Sequence, residues 1–152
     1  MSESRLYHIG IVVADIESAM AELSTAAGIT WAMPQRDVVV TYATSDGPRT
    51  WAVTFVYSNE APHIELLQQA DGTLWSELGF HHLGIWSDDV DGESVALERQ
   101  GCTWQAALTD DSGVRLGGCY HLMPASSCRI EFASTQRSKP RLARYLAGGD
   151  YM

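Results

Sequence analysis

No stretch of the chain approaches the ~18 consecutive apolar residues that a membrane-spanning helix needs. The opening residues, Met1 to Arg5, also lack a basic stretch leading into an apolar one. Both absences speak against a membrane partner and set the expectation of a cytoplasmic protein. Basic side chains are scarce: 10 Lys and Arg stand against 19 Asp and Glu, a formal charge of −9. Such a surface repels nucleic acid and anionic lipid, so neither is expected as a partner. The basic residues that do occur include a late cluster at Arg137, Lys139, Arg141 and Arg144. It reads as a solvated tail, or alternatively as a contact for an anion such as a coenzyme A phosphate. Cysteine is sparse too. Cys102, Cys119 and Cys128 are odd in number and form no CxxC pair, which argues against a disulfide framework or a structural zinc site. They read as small buried apolar residues in a reducing compartment. Cys119 and His121 would share a strand face, but many buried cysteines have such a neighbour, so a nucleophile–base pair is not the reading taken.

The chain does contain a repeat. Residues 7–18 read YHIGIVVADIES and residues 81–92 read HHLGIWSDDVDG. At one constant offset His8 meets His82, Gly10 meets Gly84, Ile11 meets Ile85, Asp15 meets Asp89 and Leu23 meets Leu97. A second matching block closes each half: HIELL at 63–67 and RIEFA at 129–133, so that Glu65 meets Glu131. With 45% hydrophobic residues in 152, the two halves suit one compact domain.

Each half has the same order of elements. An apolar strand ends at an Asp suited to capping a helix, Asp15 or Asp89. Ile16, Ala19, Met20 and Leu23 then recur at helical spacing, with a thinner face at Val90, Val95 and Leu97 in the second half. Gly28 and Gly101 stand where a left-handed residue ends a helix. Strands are expected near 36–44, 49–57 and 62–68, and again near 103–109, 115–123 and 127–133. The stretch 73–79 is expected to make one or two helical turns. The fold class is therefore α+β: two tandem βαβββ modules forming a curved mixed sheet around a cup. Module one spans about 6–68, a linker about 69–79, module two about 80–134 and a C-terminal tail about 135–152, all within a single domain 1–152.

Side chains alternate between the faces of a strand. Tyr7, Ile9 and Ile11 share one face, which suits packing under the helix, and His8 shares the other with Gly10. The same split places Leu83 and Ile85 under the second helix and His82, Gly84 and Trp86 on the concave side. Ile64, Leu66, Ile130 and Phe132 go to the helix side, and Glu65 and Glu131 face inward. Two imidazoles and two carboxylates converging in a cup suit one divalent metal ion, Zn, Ni, Co, Fe or Mn. Two buried carboxylates without a cation would repel each other. The glycines beside the histidines keep room near the ion. His81 is expected on the helix side. His63 is a possible pocket-wall residue, as are Tyr120 and His121. Trp31, Trp51, Trp86 and Trp104 fall on expected strands, either as plain core or as an aromatic pocket.

These blocks resemble the vicinal oxygen chelate superfamily, the glyoxalase, bleomycin resistance and dioxygenase fold. The resemblance covers residues 6–134. It implies paired βαβββ modules around a metal held by His8, Glu65, His82 and Glu131, a set that looks like that of bacterial glyoxalase I. Methylmalonyl-CoA epimerases carry an amide at the place of Glu65, and extradiol dioxygenases use two histidines and one glutamate. The first helix lacks the aromatic pair of glyoxalase I and looks more like the epimerase-like branch.

The implied activity is that of a metal-dependent lyase or isomerase, glyoxalase-like or acyl-CoA epimerase-like. It would abstract a proton next to a carbonyl through a metal-stabilised enediolate, with Glu65 and Glu131 as the catalytic residues. An extradiol-type dioxygenase and a non-catalytic drug- or metabolite-binding protein are the alternatives. The partner is a small-molecule substrate, bulky and apolar or a thioester. A homodimer is expected, with modules pairing either within one chain or across two.

Overall fold

The computed structural model describes residues 4–151; the segment Met1 to Glu3, which entered the reading of the N-terminus above, lies outside the described residues. Module one runs β1 (Leu6–Val13), α1 (Ile16–Ala27), β2 (Gln35–Tyr42), β3 (Arg49–Tyr57) and β4 (His63–Gln68). Module two repeats it as β5 (Gly79–Ser87), α2 (Val90–Arg99), β6 (Thr103–Thr109), β7 (Arg115–Leu122) and β8 (Arg129–Ser134), and α3 (Ser138–Leu146) follows. Both helices begin where the sequence places them. Asp15 accepts the backbone N–H of Ser18 at 3.1 Å, and Asp89 accepts that of Gly92 at 3.0 Å. Gly28 ends α1 in the left-handed region at φ 68°. No described helix is long and apolar enough to cross a membrane.

All eight strands form one sheet in the order β2-β3-β4-β1-β5-β8-β7-β6. The outer pairs of each module are antiparallel, β1 with β4 and β5 with β8 are parallel, and β1 meets β5 antiparallel at the centre. The two modules are therefore joined along one seam within a single chain. The far edges almost meet as well: Ala43 and Ala107 exchange backbone hydrogen bonds of 2.8 and 3.0 Å. The cup is nearly closed into a barrel.

The convex face carries the two helices. Ile16, Val56 and Leu66 pack with Ile11 and Ile64 under α1. Val90, Cys119 and Phe132 pack with Ile85 and Ile130 under α2. The concave face holds the larger apolar cluster, rich in tyrosine, with Leu142 and Tyr145 of α3 added to it.

Three expectations need correction. The stretch 73–79 forms turns rather than helix, and its Trp75 is only 2% exposed, inserted into the concave cluster. The segment 135–151 is no solvated tail: α3 buries Leu142 and Tyr145, and the Tyr145 hydroxyl donates to the Met33 carbonyl at 2.6 Å. Three apolar positions among basic residues are enough for one short amphipathic face. Finally, Tyr7 and His81 leave the faces that alternation assigns them. The β1–β5 register shifts between Leu6 and His8 and between Gly10 and Ile11, so Tyr7 and His81 are each the extra residue of a bulge and turn into the cup.

Candidate metal centre

The register of the central strands sets out the site. Across β4, β1 and β5, Glu65 lies beside Gly10 and Gly10 beside His82. Across β1, β5 and β8, His8 lies beside Gly84 and Gly84 beside Glu131. Each row flanks a glycine with one imidazole and one carboxylate, drawn from different modules. A Cβ on Gly10 would stand 2.1 Å from His82 Cε1, and one on Gly84 would stand 2.1 Å from His8 Cε1. The glycines thus make room for the histidine of the opposite module as well as for the centre itself.

The structure brings all four expected residues together, each buried, with donor atoms within 4.8 Å of one another. His8 Nε2 is 3.1 Å from Glu65 Oε2 and 3.2 Å from Glu131 Oε2; His82 Nε2 is 3.1 and 3.0 Å from the same two oxygens. The two Nε2 atoms are 2.7 Å apart. These approaches are short, yet neither Oε2 has an aligned hydrogen-bond donor. The atoms converge instead of pairing off. Their spacing is about that of neighbouring ligands on one ion bound at roughly 2.0–2.2 Å, and the donor set of two imidazoles and two carboxylates suits a first-row divalent metal. The residues fit the metal that the fold implies.

Without the ion, His8 is pulled two ways. Burial opposes its charge, and Glu65 and Glu131 outweigh burial, so its pKa rises from 6.5 to about 9. His82 is raised for the same reasons. Burial likewise opposes the charges of Glu65 and Glu131, and His8 and His82 outweigh it, so both carboxyls are held below the usual range. The raised His8 pKa stabilises the metal-free fold fully below 6.5, and this contribution is lost as pH climbs through about 9. The lowered carboxyls contribute above 4.5 and lose that contribution as pH falls. Metal ligation needs neutral imidazole. Uptake at pH 7 is therefore expected to release protons, and apparent affinity to climb with pH up to about 9. Calorimetry in two buffers of different ionisation enthalpy reads the proton count; a count near zero would show His8 already neutral.

The chain matches a family model described as the Glyoxalase/Bleomycin resistance protein/Dioxygenase superfamily over residues 7–117. It belongs to this superfamily. The match includes His8, Glu65 and His82 and stops short of Glu131, whose place rests on the repeat and on the geometry above. No curated protein sequence matches the chain. Among solved structures, it is similar to a hypothetical protein from Bacillus halodurans, at TM-score 0.60 and 15% identity, over 88% of this chain and 96% of that one. A Streptomyces coelicolor methylmalonyl-CoA epimerase in complex with 2-nitronate-propionyl-CoA gives 0.59 and 15%, over 90% and 97%. The Mycobacterium tuberculosis methylmalonyl-CoA epimerase gives 0.58 and 17%, over 88% and 91%. Identities this low show the superfamily fold alone.

Beside the centre lies a cavity of about 80 Å³. Glu65 and Glu131 open onto it, whereas His8 and His82 do not. Its wall is aromatic, including Tyr42, Tyr57, Trp75 and Tyr120, and the C-terminal segment adds Ser138, Arg141 and Tyr151. Of the candidate pocket residues read from the strands, Tyr120 is therefore on the wall. His121 is not: it faces α2, where its Nε2 lies 2.7 Å from Ser94 Oγ. His63 stands outside the wall, its Nδ1 2.8 Å from the Ser58 carbonyl oxygen. Trp51 and Trp86 pack on the concave cluster, while Trp31 and Trp104 are core on the helix side. Cys119 is buried and its thiol pKa is pushed up to about 11; burial and Arg115 lower His121 to about 4, so the two form no thiolate–imidazolium pair. The sequence does not point to Trp75, and it marks Arg141 only within the late basic cluster, with an anion contact as the alternative to a solvated tail. Neither lies on a strand, and so strand alternation assigns them no face.

Proposed function

We propose that the protein is a metal-dependent lyase or isomerase that abstracts a proton next to the carbonyl of a small molecule. The observation that carries this reading is the division of the centre: two buried imidazoles hold its inner side, and both carboxylates face the cavity. His8, His82, Glu65 and Glu131 would hold the ion. When bound, the ion supplies Lewis-acid polarisation of a carbonyl and steadies the negative charge that develops beside it. Glu65 and Glu131 are the groups placed to accept a proton from a substrate carbon and to return one. The aromatic wall and Tyr151 keep bulk water from the reacting group.

The cavity favours a compact oxo or acyl group over a bulky apolar body. Arg141 is the one basic side chain on its wall among the described residues, and it has no ion pair there. It suits an anionic substituent. The epimerases of similar fold bind coenzyme A thioesters, which supports testing acyl thioesters alongside α-oxo thiol adducts.

Glu65→Gln and Glu131→Gln are expected to leave the fold intact and to lower turnover roughly 10²–10⁴-fold, with unequal severity. An amide still ligates through oxygen but does not take the proton. Incorporation of solvent deuterium at the substrate α-carbon is the measurement. Undiminished exchange in both variants places the base elsewhere.

A further inference from the structure

We infer that His81 is a positioning residue that fixes the tautomer and orientation of His82, making the two imidazoles of the centre unequal. The inference rests on the reading of His8, Glu65, His82 and Glu131 as metal ligands. His81 is the bulge residue of β5 and is only 3% exposed. Its Nε2 lies 2.9 Å from the Leu74 carbonyl oxygen and its Nδ1 lies 2.8 Å from His82 Nδ1, with the rings at 90°. A carbonyl oxygen only accepts, so His81 Nε2 carries the hydrogen of that bond. In the neutral ring Nδ1 is then the acceptor. His82 must donate from Nδ1, so that in the neutral form that ligates a metal its lone pair is on Nε2, the atom that faces Glu65, Glu131 and His8. A ligating histidine whose other ring nitrogen is so held is oriented and made a better donor.

The other half is built differently. The residue matching His81 is Tyr7, also at a bulge, and it meets His8 only in a T-shaped ring contact, with centroids 4.4 Å apart, while stacking on Trp86. His8 Nδ1 is buried without a hydrogen-bond partner among the described residues. The repeat thus supplies two ligands of one kind and anchors only one of them. His81 also links that ligand to the turn carrying Trp75, through the Leu74 carbonyl, so the anchored imidazole and the cavity wall share a support.

The test compares the wild type with His81→Asn, which keeps an acceptor close to the Nδ1 position, and His81→Phe, which keeps a ring and removes the acceptor. Co²⁺ affinity is read by competition with a chromogenic chelator, and melting temperature is read in excess chelator. The phenylalanine variant is expected to bind roughly 10–100-fold more weakly, and the asparagine variant to recover most of that loss. Should His81→Phe not fold, His81→Leu serves the same comparison. Wild-type affinity in the variant lacking an acceptor overturns the inference. So does an equal loss in both variants, which would mean that His81 only fills space. If the wild type itself takes up no Co²⁺, the four-ligand reading has failed and the inference goes with it; variants that differ from a metal-binding wild type in the wrong order reject the positioning role alone.

Discussion

Gly84→Ala is expected to abolish metal binding although it alters no ligand, and Gly10→Ala to do the same from the other module. The added methyl would lie 2.1 Å from the facing imidazole, a distance no Cβ tolerates, and that imidazole is enclosed by strands on both sides. Either the ring turns away from the centre or the β1–β5 seam opens. Overpacking of this kind costs about 1–3 kcal/mol in the metal-free fold. Loss of a ring position costs far more in metal affinity, since the displaced histidine is one of the four donors. Metal content after dialysis and melting temperature in chelator separate the two effects. The pairing is specific, so Gly84→Ala combined with His8→Ala is expected to regain the metal-free stability that Gly84→Ala loses, whereas combination with His82→Ala is not. Normal metal content in Gly84→Ala would mean that the seam is looser than the register implies.

Chelation of the loaded wild type is the second large effect. An ion present at a thousand times its dissociation constant stabilises the folded state by about 4 kcal/mol. In a chain of this size that corresponds to a fall of roughly 8–16 °C in melting temperature on removal. His8→Ala and His82→Ala are expected to melt at a temperature that no longer responds to chelator. Because both modules of one chain supply the centre, mixing these two inactive chains is expected to restore nothing. Recovery of activity on mixing would require the modules to exchange between chains.

The four residues that converge are legible in the sequence because two regularities agree on them. The repeat paired them, and strand alternation sent all four to one face. Alternation holds only where the ladder is unbroken, which is why Tyr7 and His81 were misplaced: each is the extra residue at a register shift, and a one-residue slip reverses the face. The pairing of Gly10 with His82, and of Gly84 with His8, depends on which strands become neighbours across the two halves. Nothing local encodes that. The sequence did mark both glycines as making room, but it attributed the room to the ion alone. The C-terminal helix shows a different limit. Leu142, Tyr145 and Leu146 are too few to outweigh Arg137, Lys139, Arg141 and Arg144 in a pattern argument, and only the apolar mouth of the cup gives that face a reason to fold.

The mixed rows across the seam carry a consequence for how such a molecule can change. Each row takes its carboxylate from one half and its imidazole from the other, and the seam between β1 and β5 is antiparallel, so exchanging the halves maps the centre onto itself. The centre is an internal two-fold, and the residues 4–68 alone contain the histidine, the glycine and the glutamate that a second copy of the same segment would need as its partners. Two identical half-chains could therefore present the same donor set. Joining them in one polypeptide removes the requirement that both copies stay alike. A substitution then falls on one side of the axis only, and Tyr7 opposite His81 is a place where the two sides have taken different residues around an unchanged core.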